Sequence, residues 1–84
     1  MQSLEGHHNF PIGNMNSTTL GQAVRRERKA QSLRQDELAA ASGVGARFII
    51  DLEAGKPTLQ LEKALQVLRT LGLGVTITPP EAAR

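Results

Sequence analysis

Cysteine, tryptophan and tyrosine are all missing from this 84-residue chain, and two phenylalanines are its only aromatic residues. Without cysteine there is neither a disulfide framework nor a thiolate metal site, and the composition is compatible with a cytoplasmic location. The only imidazoles, His7 and His8, stand side by side in a stretch with no other ligands, where histidines are expected to be solvated, so no metal site is predicted. No phosphate-cradling glycine loop is present, and Asp51 and Glu53 flank Leu52 on one helix, pointing to different faces. With no catalytic pair and no nucleophile beside a base, neither an enzyme nor a cofactor is expected. No apolar run approaches the ~20 residues that span a bilayer. Met1-Gln2-Ser3-Leu4-Glu5-Gly6 lacks the basic region and apolar stretch of a signal peptide, so a soluble protein without membrane contact is expected.

What is present is a short chain with an uneven charge. A single domain of this length builds a core that is only marginally sufficient, and oligomerisation is the expected remedy. The formal net charge is only +2, but Leu20 to Gln35 holds five basic residues (Arg25, Arg26, Arg28, Lys29, Arg34) against the single acid Glu27. A cluster of that sign suits phosphate contact, although a basic helix face is commonly just a solvated one.

Four segments emerge along the chain. Residues 1–16, with Gly6, Pro11, Gly13 and three asparagines, show no helical or alternating pattern and read as a flexible arm. Residues 17–72 carry the helical pattern, 73–78 a strand, and 79–84 a short tail. A first helix is expected after Asn16-Ser17-Thr18-Thr19, any of which can cap it, and Thr19 with Gln22 has capping-box spacing. Leu20, Val24 and Arg28 share its inner face with Ala23 alongside, which makes Arg28 the odd charge on the buried side. A second helix from about Arg34 to Ser42 turns Leu38, Ala39 and Ala41 inward and stops at Gly43, and Val44 plugs the corner. A third, from about Gly45 to Ala54, places Ile49 and Leu52 inward and leaves Ala46, Arg47, Ile50 and Asp51 near the opposite face. Thr58 is expected to cap a fourth helix with Leu61, Leu65 and Leu68 in register, flanked by Leu59, Ala64, Val67 and Leu71. That stripe is wider than one small domain needs. Val75-Thr76-Ile77-Thr78 then alternates as the only visible strand, ended by Pro79-Pro80. A lone strand leaves its backbone groups unpaired. Pairing of Val75, Thr76 and Ile77 with the same strand of a second copy, across a two-fold axis, is therefore expected.

Two short helices joined at Gly43, the second ending before Gly55, are the arrangement by which a small domain lays one helix in the DNA major groove. Ile50 beside Arg47 is unusual for a solvated surface and fits thymine methyl groups. Arg47 has the fork that takes guanine O6 and N7 together, against the alternative of a solvated arginine. Ala46 allows close approach, the backbone of Gly45 offers an N–H at a helix start, and Gln35 and Arg34 stand where the second helix begins. The Gln35 amide suits either a phosphate or a buttress for the third helix. Phe48 lies at the border of the inner face, where it suits the core, its expected place, or the DNA backbone.

The spacing Gln35-x-x-x-Ala39-x-x-x-Gly43-Val44 followed by Ile49-x-x-Leu52-Glu53-x-Gly55 resembles the Cro/C1-type (XRE-family) helix-turn-helix over residues 18 to 71. The Leu33-x-Gln35 start, the Gly55-Lys56-Pro57-Thr58 link and the strand after Leu73 make the chain most similar to HipB-like antitoxins. The resemblance implies an all-α, lambda-repressor-like domain of four to five helices with a C-terminal strand pairing across a homodimer. It also implies a palindromic double-stranded DNA operator, autorepression, nucleoid association in the cytoplasm, and a HipA-like serine/threonine kinase toxin as partner. By position it puts Gln35, Gly45, Ala46, Arg47 and Ile50 on DNA and pairs Arg28 with Glu53 as a partly buried ion pair. The family's usual polar residues are replaced here by Gly45, Ala46 and Ile50, so base readout is expected to rest on Arg47 and on DNA shape. The tail after Pro80 has no aromatic anchor, which leaves the arm with Phe10 and Ile12, or the side of the helical body, as the surface for a toxin. Two other readings remain open: an autonomous regulator without a toxin, and a helical adaptor that binds only protein.

Overall fold

Asn16 begins the helical body by supplying partners that the first turn lacks. Its Oδ1 accepts from the Thr19 backbone N–H at 2.8 Å while Thr19 Oγ1 accepts from the Asn16 N–H at 2.9 Å. The reciprocal box thus lies three residues earlier than the Thr19–Gln22 spacing suggests. In the computed structural model, residues 15–77 are described together with the strand at 9–11. His7, His8, Ile12 and the tail 79–84, to which the sequence assigned roles, lie outside the described residues, as does Thr78 at the end of the expected strand.

The order of elements is β1 (Asn9–Pro11), α1 (Ser17–Ala30), α2 (Gln35–Ser42), α3 (Ala46–Glu53), α4 (Leu61–Leu71) and β2 (Gly74–Thr76). Val24 of α1, Leu38 of α2, Ile49 of α3 and Val67 of α4 are the largest fully buried side chains, one from each helix, and meet in a single core. Burial of a side chain of this kind stabilises by roughly 1.5–3 kcal/mol. Leu52, Leu68, Leu71 and Leu73 extend the cluster, and Phe48 packs half-buried at its border.

Two backbone features set the helix packing. Gly43 takes φ 74°, a left-handed conformation that a residue with a Cβ adopts at a cost, and lets Val44 N–H reach back to the Ala39 carbonyl at 3.0 Å. At Gly21 a side chain would collide with the carbonyl oxygens of Leu52 and Glu53, so glycine is what allows α1 to cross the end of α3 at backbone contact. Periodicity did not single out Gly21.

Three helix expectations are corrected. Ala41 is exposed, and Ser42, one turn after Leu38, is the buried residue. Thr58 does not cap α4, which starts three residues later with Gln60 as N-cap. The link has already turned inward at Leu59, which packs on the core before the first helical turn. Leu61, at the first position of α4, is exposed, and the stripe against the core runs through Ala64, Val67, Leu68 and Leu71.

The strand differs most. β2 has a partner in its own chain: β1 pairs with it in parallel, in the register Asn9↔Gly74, Phe10↔Val75 and Pro11↔Thr76. The premise that Val75 and Thr76 need a second copy for any pairing is thereby overturned. Parallel strands require a long crossover, and the four helices between residues 11 and 74 supply it. Three residues ending in proline carry no alternation to read, which hid β1 in the sequence. Ile77 lies beyond the strand and is exposed, while Val75 packs half-buried against the core.

Candidate nucleic-acid interface

Arg28 crosses the interior to join three segments. Its Nε donates to Glu53 Oε2 at 2.6 Å and its Nη2 to Glu53 Oε1 at 3.0 Å, a two-point contact between α1 and the last residue of α3. Nη1 donates to the Leu33 carbonyl at 2.7 Å, in the turn before α2. Gln35, the first residue of α2, adds a third donor to the same carboxylate, Nε2 to Oε1 at 3.1 Å. One buried acid therefore fixes the angle between α2 and α3. The Glu53 hydrogen bond holds the guanidinium above its ordinary pKa, so Arg28 stays cationic at every accessible pH. Of its two readings, Gln35 makes the buttress contact here.

The start of α2 is tied from outside as well. The Arg34 N–H donates to Glu37 Oε1 at 2.8 Å, and the exposed Arg34 side chain pairs with Asp36 at 3.1 Å and Glu37 at 3.5 Å. Its charge is thus largely met by its own helix. The hydrogen bond to Asp36 raises the Arg34 pKa, and the same contact lowers that of Asp36.

With its inner side locked, α3 turns the rest outward. Gly45, its N-cap, is exposed and borders open space; Ala46 and Arg47 are exposed, and Ile50 remains 39% exposed. Ala46, Arg47 and Ile50 therefore share one accessible surface, which Gly45 and the start of α2 adjoin. The structure also brings together two residues that sequence reasoning had not joined to Arg47, Asp51 on the same face and Lys56 in the turn. Asp51 lies 3.3 Å from Arg47 Nε and 3.7 Å from Lys56 Nζ, bridging α3 and the turn after it. The i,i+4 spacing of Arg47 and Asp51 was the available signal for the first contact. No helix among the described residues is long and apolar enough to cross a membrane.

Comparison with known proteins matches this architecture. A family model described as helix-turn-helix covers residues 24–77. The chain is 60% identical over 65 residues to an uncharacterized HTH-type transcriptional regulator, y4mF, of Sinorhizobium fredii, an alignment covering 77% of this chain and 86% of that protein. Its structure is similar to the crystal structure of the restriction-modification controller protein C.AhdI from Aeromonas hydrophila, with a TM-score of 0.61 and 28% identity over 68% of this chain and 83% of that one. With the motif, its four-helix setting and these relatives in agreement, the chain belongs to the XRE-type helix-turn-helix family of transcriptional regulators.

Proposed function

We propose that the protein is a sequence-specific repressor that binds a palindromic operator as a homodimer, regulates its own operon and serves as the antitoxin of a HipA-like serine/threonine kinase. One observation carries the DNA reading: α3 is fixed from inside by Arg28, Glu53 and Gln35 and leaves Ala46, Arg47 and Ile50 accessible together. On this reading Arg47 addresses guanine, Ile50 and Ala46 meet thymine methyl groups, and Gly45, Arg34 and the start of α2 meet the backbone. The exposed Leu61 and Ile77 and the free edge that a two-stranded sheet leaves on β2 support dimerisation through Val75, Thr76 and Ile77. A two-fold dimer sets its recognition helices about one DNA turn, ~34–36 Å, apart. The kinase partner rests on the similarity of the motif, link and strand to HipB-like antitoxins. A second reading, an autonomous regulator with no toxin, is favoured by the likeness to a restriction-modification controller.

A fluorescence-anisotropy titration against the duplex upstream of the gene, with a scrambled duplex as control, tests DNA recognition. Preferential binding that weakens as salt rises supports it, and equal binding to both duplexes refutes it. Co-expression with the neighbouring gene and affinity purification separates the two readings: a kinase recovered in stoichiometric amount supports the antitoxin, and the regulator purified alone supports the autonomous form.

A further inference from the structure

Arg47 and Asp51 lie one turn apart on the outermost row of α3, opposite the buried Ile49 and Leu52. An acid is out of place on a surface that meets a duplex carrying one negative charge per ~1.7 Å. Asp51 nevertheless has a side chain only 19% exposed, against 79% for Arg47, and two cations face it. Arg47 Nε lies 3.3 Å from Oδ1, and Lys56 Nζ lies 3.7 Å from Oδ2. Lys56 reaches this position because Gly55 takes φ 84°, and the Lys56 N–H donates back to the Asp51 carbonyl at 3.1 Å, folding the turn over the end of α3. Ion pairs at an exposed surface add little to stability, so stability is a poor reason to place a carboxylate here.

We propose that Asp51 is a positioning residue for sequence discrimination, drawing Arg47 and Lys56 toward its carboxylate by charge. The inference rests on the reading of α3 as the helix that enters the major groove. An arginine has many rotamers; one whose Nε side faces the Asp51 carboxylate leaves the N–H groups of Nη1 and Nη2 to donate to guanine O6 and N7. The same carboxylate leaves the three-residue cluster with one net positive charge in place of two, so neither cation collapses freely onto the phosphates of an arbitrary duplex. Discrimination is a difference between two affinities, and Asp51 acts mainly by weakening the wrong one.

The test is D51N, which keeps the shape and removes the charge, titrated by anisotropy against the upstream and scrambled duplexes at several salt concentrations. Binding to the scrambled duplex is expected to tighten at least threefold, the upstream-to-scrambled affinity ratio to fall at least fivefold, and the salt slope to steepen by about one to two as Arg47 and Lys56 reach phosphates. In an R47A background D51N should change the ratio clearly less, since only Lys56 is left to release, a dependence that a purely structural role would not produce. D51E, which keeps the charge, should hold scrambled-duplex affinity within twofold of wild type, and circular dichroism melts confirm that each variant is folded. A wild type that discriminates while folded D51N keeps the same ratio within twofold overturns the proposal alone; a wild type that binds both duplexes equally overturns the DNA reading and the proposal together.

Discussion

Replacing Arg28 by alanine should remove a large part of the stability of this domain. Arg28 is 7% exposed and the Glu53 side chain 3%, and the pair is joined by contacts of 2.6 and 3.0 Å. In Arg28→Ala the Glu53 carboxylate stays buried with only the Gln35 amide, 3.1 Å away, to answer it, and the Leu33 carbonyl loses its 2.7 Å donor. Removing one member of a buried pair costs ~3–5 kcal/mol, most of it the burden of the charge left behind. Small domains are stable by about 5–15 kcal/mol in total. Each kcal/mol shifts the melting temperature of a domain of this size by roughly 4–8 °C, so a fall of roughly 12–40 °C is expected. A thermal melt followed by circular dichroism at 222 nm measures it. Arg28→Lys, which keeps the charge but lacks the planar fork, should fall between wild type and alanine. A cycle with Glu53→Gln isolates the coupling: the double variant should be less destabilised than the sum of the two single ones. An Arg28→Ala protein that melts within about 3 °C of wild type would contradict an argument that rests on ~3–5 kcal/mol.

Other perturbations follow from the same packing. Gly21→Ala pushes a methyl into the Leu52 and Glu53 carbonyls and should cost about 1–3 kcal/mol in urea denaturation, whereas a neutral result would mean that α1 can slide off α3. Arg47→Ala, at an exposed position, should leave the melting curve within ±0.5 kcal/mol of wild type while weakening anisotropy-measured binding to the upstream duplex ~5- to 150-fold, the equivalent of one bidentate base contact. The pH dependence has two parts of opposite sign. Arg28, whose pKa is raised in the folded state, contributes stability that is present below its unfolded pKa and is lost only above the accessible range, so alkaline titration should leave the Arg28 contribution intact. Asp36, whose pKa is lowered by Arg34, contributes stability that is present above its unfolded pKa and is lost as the pH falls through the folded value. Because that pair is exposed, melts from pH 5 to pH 2 should show this loss at low salt and much less of it at high salt.

The helices and the turn at Gly43 were written locally. Apolar spacing of 3.6 places Val24, Leu38, Ile49, Leu52 and Val67 inward without reference to any other part of the chain, and a glycine after Ser42 marks a place where left-handed backbone is cheap. The same spacing exposes Arg28 as a charge on an apolar face, because a period is a property of one segment. Its partner stands 25 residues further on and is not a matter of period. Periodicity can say that a charge is buried but not what answers it, so Glu53 came from family likeness and its geometry with Gln35 and Leu33 from the fold. The close crossing at Gly21 and the Lys56 turn over Asp51 also depend on how two backbones meet. The strands show the limit most clearly. The alternation of Val75-Thr76-Ile77 is legible as strand chemistry, but β1, a three-residue segment ending in proline, has too little pattern to announce itself 65 residues from its mate. A strand's propensity is local and its pairing is not, so the sequence by itself determined the four helices, the turn at Gly43 and the C-terminal strand, while the tertiary structure alone decided β1 and which edge, carboxylate or cation each element would meet.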